Sequence, residues 1–334
     1  MKNTNNHFSC LILLQITVSL LVLMGCKKSD PAPATPPATT SVYVAGYENG
    51  VIKYWKDGVA VTLGTLNASA NKVSLAVSGS DVYVAAKETD LLRIWKNGVA
   101  TNLAQGTNVV VNDIAVSGND VYAAGELNQS FKFVATYWKN GVVTSLGSGS
   151  TDSYANSITV SGADVYVAGE EFVGSVGIAK YWKNGVGVPL TNGPSNETAN
   201  SIFISGSDVY TAGIEKNGNT FASYWKNSVD TKLTDGSSNA VANDIAVFGN
   251  DIYVVGSLAN VATYWKNGVA TSLPDDSHGS TATSIAIFGS DVYIAGYSGN
   301  TGGSTSFAVY WKNGAIIKLT DGTHANRATV VFVK

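Results

Sequence analysis

The sequence predicts an all-β fold, a seven-bladed β-propeller closed by a C-terminal strand. Three observations predict it: a long repeat, a four-strand pattern within each repeat, and chain ends that complement each other. The Trp residues recur every 40 to 46 residues. They are Trp55, Trp95, Trp138, Trp182, Trp225, Trp265 and Trp311. A period of this size indicates one supersecondary unit stacked repeatedly. Only 13% of residues are charged and Gly occurs 35 times, which is typical of an all-β domain with many turns.

Residues 1–25 are predicted to be a signal peptide and not part of the fold. Lys2 supplies a positive charge, and the apolar run 10–23 is too short and too early for a resident membrane span. The run ends in Leu-Met-Gly-Cys at Cys26. This ending resembles the lipobox of bacterial lipoproteins, which implies lipidation of Cys26 and anchoring to a membrane. The alternative is an ordinary secretory signal followed by a chance Cys.

Residues 26–40 are predicted to be a linker between Cys26 and the folded domain. They contain four of the seven prolines, so this segment should be extended and fairly stiff. No Cys follows Cys26, which excludes a disulfide framework and thiolate metal sites from the folded part.

One copy of the repeat, residues 242–274, shows the predicted strand pattern. Residues 242–247 form an apolar strand, 248–251 a tight turn rich in Gly and Asn, and 252–256 a second strand. A third strand spans 261–266, and Asn267-Gly268 is a strong hairpin signal before a fourth strand at 269–273. Four short antiparallel strands in one repeat are typical of a propeller blade.

The two chain ends predict closure of the ring. Ser41-Val42-Tyr43 corresponds to the start of the second strand, so the first unit lacks its innermost strand. Residues 328–333 correspond to residues 242–247, the first strand of the copy described above, but they are not followed by the other three strands of a blade. The C-terminus should therefore complete the first blade, so that residues 41–334 form one closed domain. Closure favours a ring over a β-solenoid or an open array, which would leave exposed sheet edges.

The repeated Tyr-Trp-Lys-Asn-Gly pattern resembles tandem YWKNG-type repeat propellers in lipoproteins of the Bacteroidota. It is more loosely similar to the kelch repeat, in which a Tyr-bearing second strand ends in Gly before an aromatic third strand. The resemblance covers residues 41–334 and implies the fold and a location at the outer membrane or cell surface. Kelch-like relatives imply a binding scaffold more often than an enzyme.

The repeated aromatic residues are predicted to pack between blades. Each unit has a Tyr on its second strand and a Trp on its third. Neighbouring residues of a strand face opposite sides, so Tyr264 and Trp265 should contact different blades. The alternative, stacking platforms for sugars or bases, is disfavoured because the aromatics recur at the same position in all units.

No motif predicts catalysis, a cofactor or a metal. Beyond the signal peptide, His occurs only at His278 and His324, whereas zinc needs three or four convergent ligands. The formal charge of −3 and the lack of a basic cluster argue against nucleic-acid binding. We expect a monomer without catalytic residues. Scattered carboxylates, as in glycoside hydrolases, remain the enzymatic alternative.

The two rims of the predicted propeller differ in how much their connections vary. The rim of the first-to-second and third-to-fourth turns, here the constant rim, scarcely varies. The opposite rim, here the variable rim, carries the second-to-third and fourth-to-first connections. Its connections 127–133, 171–177, 215–220 and 297–306 are longer than the connection at 257–260. A rigid scaffold displays recognition loops at such a rim.

Eight polar residues on the variable rim are the candidate binding residues. They are Glu48, Glu88, Glu171 and Glu215 after the second strands, with Asn112, Asn156, Asn200 and Asn243 beside the channel. They could form an acidic, amide-lined mouth for a cation, a sugar or a basic partner. Solvated loop acids, and Asn side chains that cap their own backbone, are the favoured alternative.

The sequence thus favours a lipid-anchored propeller of the cell envelope that binds a protein or glycan through its variable rim, without enzymatic activity. The first alternative is a carbohydrate-active enzyme, which would place two carboxylates about 5–10 Å apart across a pocket. The second is a structural spacer, which would show no cleft and no large exposed patch.

Overall fold

The computed structural model describes residues 40–66, 72–88, 91–105, 109–129, 131–193, 195–275, 279–299 and 305–334. The predicted signal peptide, Cys26 and all but the last residue of the predicted linker lie outside the described residues, as does His278. Within the described ranges, no helix has both the length and the apolar character needed to cross a membrane.

The described chain consists of 28 strands in seven antiparallel sheets of four. The first seven are β1 (Val42–Glu48), β2 (Val51–Lys56), β3 (Val59–Thr65), β4 (Val73–Ser78), β5 (Asp81–Glu88), β6 (Leu91–Lys96) and β7 (Val99–Gln105). Next come β8 (Val109–Ser117), β9 (Asp120–Gln129), β10 (Lys132–Lys139), β11 (Val142–Ser145), β12 (Ser153–Ser161), β13 (Asp164–Val173), β14 (Val176–Lys183) and β15 (Val186–Pro189). The next six are β16 (Asn196–Ser205), β17 (Asp208–Asn217), β18 (Asn219–Lys226), β19 (Val229–Lys232), β20 (Ala240–Phe248) and β21 (Asp251–Leu258). The last seven are β22 (Val261–Lys266), β23 (Val269–Ser272), β24 (Ser280–Phe288), β25 (Asp291–Gly299), β26 (Ser306–Lys312), β27 (Ala315–Lys318) and β28 (Asn326–Val333).

The last strand closes the ring, as the sequence predicts. Blade 1 has the order β28-β1-β2-β3, and blades 2 to 7 each use four consecutive strands, from β4–β7 to β24–β27. Strand β28 pairs antiparallel with β1, from Val42 opposite Val333 to Glu48 opposite Asn326. The backbone N–H of Ser41 also donates to the carbonyl oxygen of Lys334 at 2.9 Å. The two ends of the domain are therefore held in one sheet.

The connections between second and third strands differ from the predicted loops. In blades 3, 4 and 5 most of their residues continue the pairing, so that β9–β10, β13–β14 and β17–β18 form long hairpins. Val173 pairs with Val176 in blade 4, and Asn217 pairs with Asn219 in blade 5. Continued pairing satisfies backbone groups that an irregular loop would leave to solvent. The variable rim therefore carries ordered hairpins over these three blades.

The repeated aromatics form the core between blades. All seven Trp side chains are at most 2% exposed. Trp265 packs against Tyr210 of blade 5, whereas its neighbour Tyr264 packs in the cluster that holds Trp311 of blade 7. The prediction that adjacent residues face different blades is thus confirmed.

The repeated turn motif builds the constant rim. In blade 6, Asn267 and Gly268 have φ of 51° and 83°, the left-handed pair that a type I′ hairpin requires. Asn267 Nδ2 donates to Asp251 Oδ1 at 2.8 Å, and Lys266 Nζ lies 2.7 Å from Asp251 Oδ2 and 5.1 Å from the ring centroid of Tyr253. Hydrogen bonds from Lys266 and Asn267 hold the pKa of Asp251 below its usual range. The same contacts recur in other blades, so this motif serves the fold.

Candidate functional site

The innermost strands surround an axial cavity of about 670 Å³. Each of them runs from the variable rim to the constant rim. The residues that line the cavity are polar at the beginning of the strands, as at Asn200 and Ser201, and apolar toward their ends, as at Val247 and Phe248. The cavity is therefore polar toward the variable rim.

A layer of bulged residues ties neighbouring blades together near the start of the innermost strands. Six of these strands carry a one-residue bulge. The bulged residues are Asn112, Asn156, Asn200, Asn243, Thr283 and Thr329. Their side chains donate to a backbone carbonyl of the next blade, with distances of 2.8 to 3.1 Å for the four Asn residues. The four predicted Asn residues thus line the cavity, but they bridge blades instead of capping their own backbone.

Two partly buried aspartates, Asp113 and Asp244, follow the bulged residues and link neighbouring blades. Asp113 Oδ1 accepts from Ser74 Oγ of blade 2 at 2.7 Å, and Oδ2 accepts from Ser157 Oγ of blade 4 at 2.9 Å. Asp244 makes the equivalent bridge. It accepts from Ser201 Oγ of blade 5 at 2.6 Å and from the backbone N–H of Ile285 in blade 7 at 2.9 Å. Burial raises the pKa of both carboxyls. This pair was not predicted from the sequence, where its signal is an Asp at a position at which four other copies have Ser.

The four predicted glutamates lie on the blade faces and not around the cavity. Each pairs with a basic residue of its own blade. The pairs are Glu48 with Lys53, Glu88 with Arg93 at 2.8 Å, Glu171 with Lys180, and Glu215 with Lys232 at 3.3 Å. None of the four lines the axial cavity. The structure therefore does not bring them together.

A second set of residues lies one position earlier on the second strands, at the same end of the blades as the polar part of the cavity; of these, Tyr297 lines the cavity itself. Each follows the Gly or Ala near the end of that strand and stands opposite a residue of the innermost strand. The opposed pairs are Tyr47 with Arg327, Glu126 with Val110, Glu170 with Tyr154, Ile214 with Thr198, Ser257 with Val241, and Tyr297 with Thr281. We call these residues, with Lys72 and Lys87 of blade 2, the mouth layer. Its composition changes from blade to blade.

One side of the mouth layer is basic. The Arg327 guanidinium lies 4.5 Å from the ring centroid of Tyr297. Burial raises the pKa of the neighbouring Tyr47, and Arg327 opposes that shift. Lys72 is exposed and lines the cavity. Desolvation by the surrounding blades nevertheless lowers the pKa of Lys72, while the carboxylates of Asp113 and Glu126 oppose the shift.

The adjoining side, over blades 3 and 4, is acidic. Glu126 is 5% exposed, and its Oε1 accepts from Asn112 Nδ2 at 2.8 Å. Burial raises the pKa of Glu126 to about 7, with Asn112 and Lys72 opposing the shift and Glu170 adding to it. Burial also raises the pKa of Glu170, whose Oε2 accepts from Thr198 Oγ1 at 2.9 Å.

Three aromatic rings lie beside these carboxylates. The ring centroids of Phe133 and Tyr154 are 5.6 Å apart, and those of Tyr154 and Phe172 are 6.1 Å apart. Burial raises the pKa of Tyr154, and Asp152, Glu126 and Glu170 add to the shift, which places the ring within their electrostatic reach. We call Phe133, Tyr154 and Phe172 the aromatic cluster. Two of its members come from the hairpins that the sequence analysis had interpreted as loops.

A metal centre is not formed by the part of the chain that the structure describes. Within those ranges no group of three or more His, Cys, Asp or Glu side chains could hold an ion. His324 is exposed, and its Nδ1 shares a hydrogen bond with Thr323 Oγ1 at 2.8 Å.

Comparisons with known proteins identify the architecture alone. No family model matches the chain, and no curated protein matches it. A puromycin-hydrolysing peptidase of Mycobacterium tuberculosis is similar in structure, with a TM-score of 0.53 and 12% identity over 85% of this chain. The alignment covers 54% of the peptidase, so the chain spans about half of its length.

Two further structures align over most of both chains. The computationally designed Ika8 protein has a TM-score of 0.46 and 17% identity, with 87% of this chain and 90% of that chain covered. A chain of the nidogen/laminin complex has a TM-score of 0.46 and 10% identity, with 88% and 98% covered.

The sheet order decides the architecture. The chain is a seven-bladed β-propeller. The propeller fold suggests a binding or scaffold module, because a rigid ring presents the connections of many blades on one face.

Proposed function

We propose that this propeller is a non-enzymatic binding module of the cell envelope, anchored by a lipid at Cys26, that recognises a protein or glycan through its variable rim. The main support for the proposal is that some layers of the ring have the same residue types in every blade and others do not. The bulged residues and the residues between blades repeat around the ring, whereas the mouth layer and the aromatic cluster do not.

Repetition distinguishes residues that stabilise the ring from residues that are available for ligand recognition. A side chain at the same place in every blade meets the same neighbours, so packing explains it. Packing between equivalent blades gives no reason for Glu126, Glu170 and Lys87 to occupy equivalent positions with opposite charges. Recognition of an asymmetric ligand does give such a reason, because each blade then contacts a different part of the ligand.

Exposed apolar surface beside the mouth favours binding over a spacer role. Phe131 is 96% exposed and Val173 is 69% exposed, each at the tip of a hairpin next to the aromatic cluster. Aromatic side chains on a rigid rim are typical anchors of interfaces and of sugar sites. A spacer would need neither this surface nor the cavity.

The binding proposal is tested by glycan-array and pull-down experiments with the full chain in a nonionic detergent. The double variant Phe133→Ala/Phe172→Ala removes two rings of the aromatic cluster. Val269→Ala is the control, because Val269 is 70% exposed on the constant rim. We expect the double variant to lose at least about tenfold in affinity, while the control stays at the wild-type value. Equal binding by all three proteins would contradict the proposal.

The anchoring proposal is tested separately at Cys26. The Cys26→Ser variant should not be acylated and should leave the membrane fraction, because the acyl chains supply the anchor. Mass spectrometry and membrane fractionation measure the two effects. A Ser variant that remains acylated and membrane-bound would contradict the proposal.

A carbohydrate-active enzyme is the second candidate, favoured by one specific observation. Glu126 has a pKa raised to about 7 and lies near Glu170, so one carboxyl can be protonated while the other is ionised. General acid catalysis by glycosidases uses such a pair. Release of new reducing ends from polysaccharides, lost in Glu126→Gln, would establish this function in place of simple binding.

A further inference from the structure

Glu126 has an oxygen atom that the described residues leave without a hydrogen-bond partner. Its Oε1 accepts from Asn112, but Oε2 is buried and receives no hydrogen bond from the described part of the chain. A buried carboxylate oxygen without a donor is costly. The position therefore suits a ligand that brings a donor.

Glu197, at the start of β16, shares this deficit at its Oε2, but the four glutamates predicted from the sequence do not. Glu48, Glu88, Glu171 and Glu215 each have a basic partner on the same blade. Glu126 and Glu170 form no ion pair within the described ranges, and Glu170 accepts only a hydroxyl hydrogen bond from Thr198 there. Lys72 is close enough to influence Glu126 electrostatically but forms no ion pair with it. The acidic side of the mouth thus carries negative charge that its surroundings compensate only in part.

The aromatic cluster adds a second feature that suits a cation. The faces of aromatic rings attract ammonium and guanidinium groups, and the apolar stem of a long basic side chain packs against such rings. Phe133 is 37% exposed, so part of the cluster is open to a ligand that approaches along the variable rim.

We propose that this acidic and aromatic corner over blades 3 and 4 binds a basic side chain of a partner protein. The cationic group donates to Glu126 Oε2 and faces Glu170, while its methylene stem lies against Phe133 and Phe172. This inference rests on the proposed binding function and names its ligand class.

A basic protein side chain fits better than a neutral glycan. A sugar hydroxyl can donate to Oε2, but it leaves the charge of the two carboxylates uncompensated. An ammonium group supplies the donor and the charge together, and charge-assisted hydrogen bonds are the stronger kind. Lys and Arg side chains also combine a long apolar stem with a terminal cation, which matches rings beside carboxylates.

The test is calorimetric titration of the full chain in nonionic detergent with three acetylated, amidated pentapeptides. Their central residue is Lys, Nε-acetyl-Lys or Glu between pairs of Gly. We expect the Lys peptide to bind at least about tenfold more tightly than the other two. The double variant Glu126→Gln/Glu170→Gln should lose that preference. Asp164→Asn is the control, because it removes one negative charge on the opposite rim of blade 4 and should retain the preference.

Each other outcome overturns the inference. Equal binding of the Lys and acetyl-Lys peptides shows that the positive charge is not recognised, and so does an unaffected double Gln variant. Binding of chitosan oligomers without binding of the Lys peptide assigns the corner to an amino sugar instead. If neutral ligands bind and are lost in Phe133→Ala/Phe172→Ala but not in the double Gln variant, the binding function stands and the basic ligand is wrong.

Discussion

The two rims of this propeller use the same scaffold in opposite ways. On the constant rim, Asp, Lys and Asn make the same contacts in blade after blade, as at Asp208, Lys226 and Asn227. On the variable rim, equivalent positions hold Glu126 in blade 3, Ile214 in blade 5 and Tyr297 in blade 7. The first rim is determined by the geometry of the hairpin turns. The residues of the variable rim are not determined by a shared turn geometry, because equivalent mouth-layer positions hold side chains of different charge and size.

This difference shows that the repeats of one chain can be compared with each other, as homologous sequences are, to separate structural positions from binding positions. A position that is the same in every copy serves the ring, and a position that differs in every copy is available for recognition. The predictions below test this division, in order of decreasing effect on stability.

Removal of residues 328–334 should have the largest effect. It deletes most of β28, the channel-side strand of blade 1, and exposes the backbone groups of β1 that pair with it. The truncated chain should aggregate or melt far below the intact protein, as measured by calorimetry and size-exclusion chromatography. A soluble chain ending at Arg327 with unchanged melting would show that ring closure is dispensable.

Trp182→Ala should have the next largest effect, because Trp182 is 2% exposed between blades 3 and 4. The expected loss in the free energy of unfolding is about 3–5 kcal/mol. Phe131→Ala is the comparison on the variable rim, where the side chain is 96% exposed and the change should stay within about 0.5 kcal/mol. Thermal denaturation of both variants measures the difference, and similar melting temperatures would contradict the division.

Glu126→Gln should stabilise the protein in a pH-dependent way. The pKa of Glu126 is raised from its ordinary value of 4.5 to about 7, so the native state holds a proton that the unfolded state has released between these values. Stability contributed by this group therefore falls as pH rises from about 4.5 to 7 and stays low above 7. The Gln variant lacks this loss. Its advantage over the wild type should grow across that window to about 1–3 kcal/mol.

Denaturant titrations from pH 4 to 8 measure this advantage. Asp164→Asn is the control, since Lys183 and Asn184 hold the pKa of Asp164 below its usual range and its titration lies at lower pH. A pH-independent difference between wild type and Glu126→Gln would show that Glu126 is ionised and satisfied throughout.

Lys183→Ala on the constant rim should have the smallest effect. The ion pair with Asp164, at 2.8 Å, is exposed to solvent, and exposed pairs contribute little. The melting temperature should remain within experimental error of the wild type. A large decrease would mean that the repeated ion pair is a main source of stability.

The sequence was sufficient to predict the ring because the ring is repetitive. The Trp spacing, the Asn-Gly turns and the unpaired strand at each end determine blade number and closure. Trp182 and Asn267 could be assigned correctly because each has several equivalents whose shared environment reveals its role.

The mouth could not be predicted in the same way. Glu48 and its equivalents were predicted as binding residues because they recur, whereas in the structure they pair with basic residues on the blade faces. Glu126 and Glu170 each follow a Gly, and only the structure shows their contacts with Asn112 and Thr198 on the innermost strands. The aromatic cluster joins Phe133 to Tyr154 across two blades, a contact that no repeat within one blade contains.

The hydrogen bond between Ser41 and Lys334 has a consequence for orientation. It places the point at which the chain enters the propeller on the constant rim, because β1 starts there and runs toward the mouth. The two ends of the domain therefore meet on the rim of uniform turns, on the face opposite the mouth. A molecule that binds at the mouth would meet the asymmetric surface without touching either end of the domain.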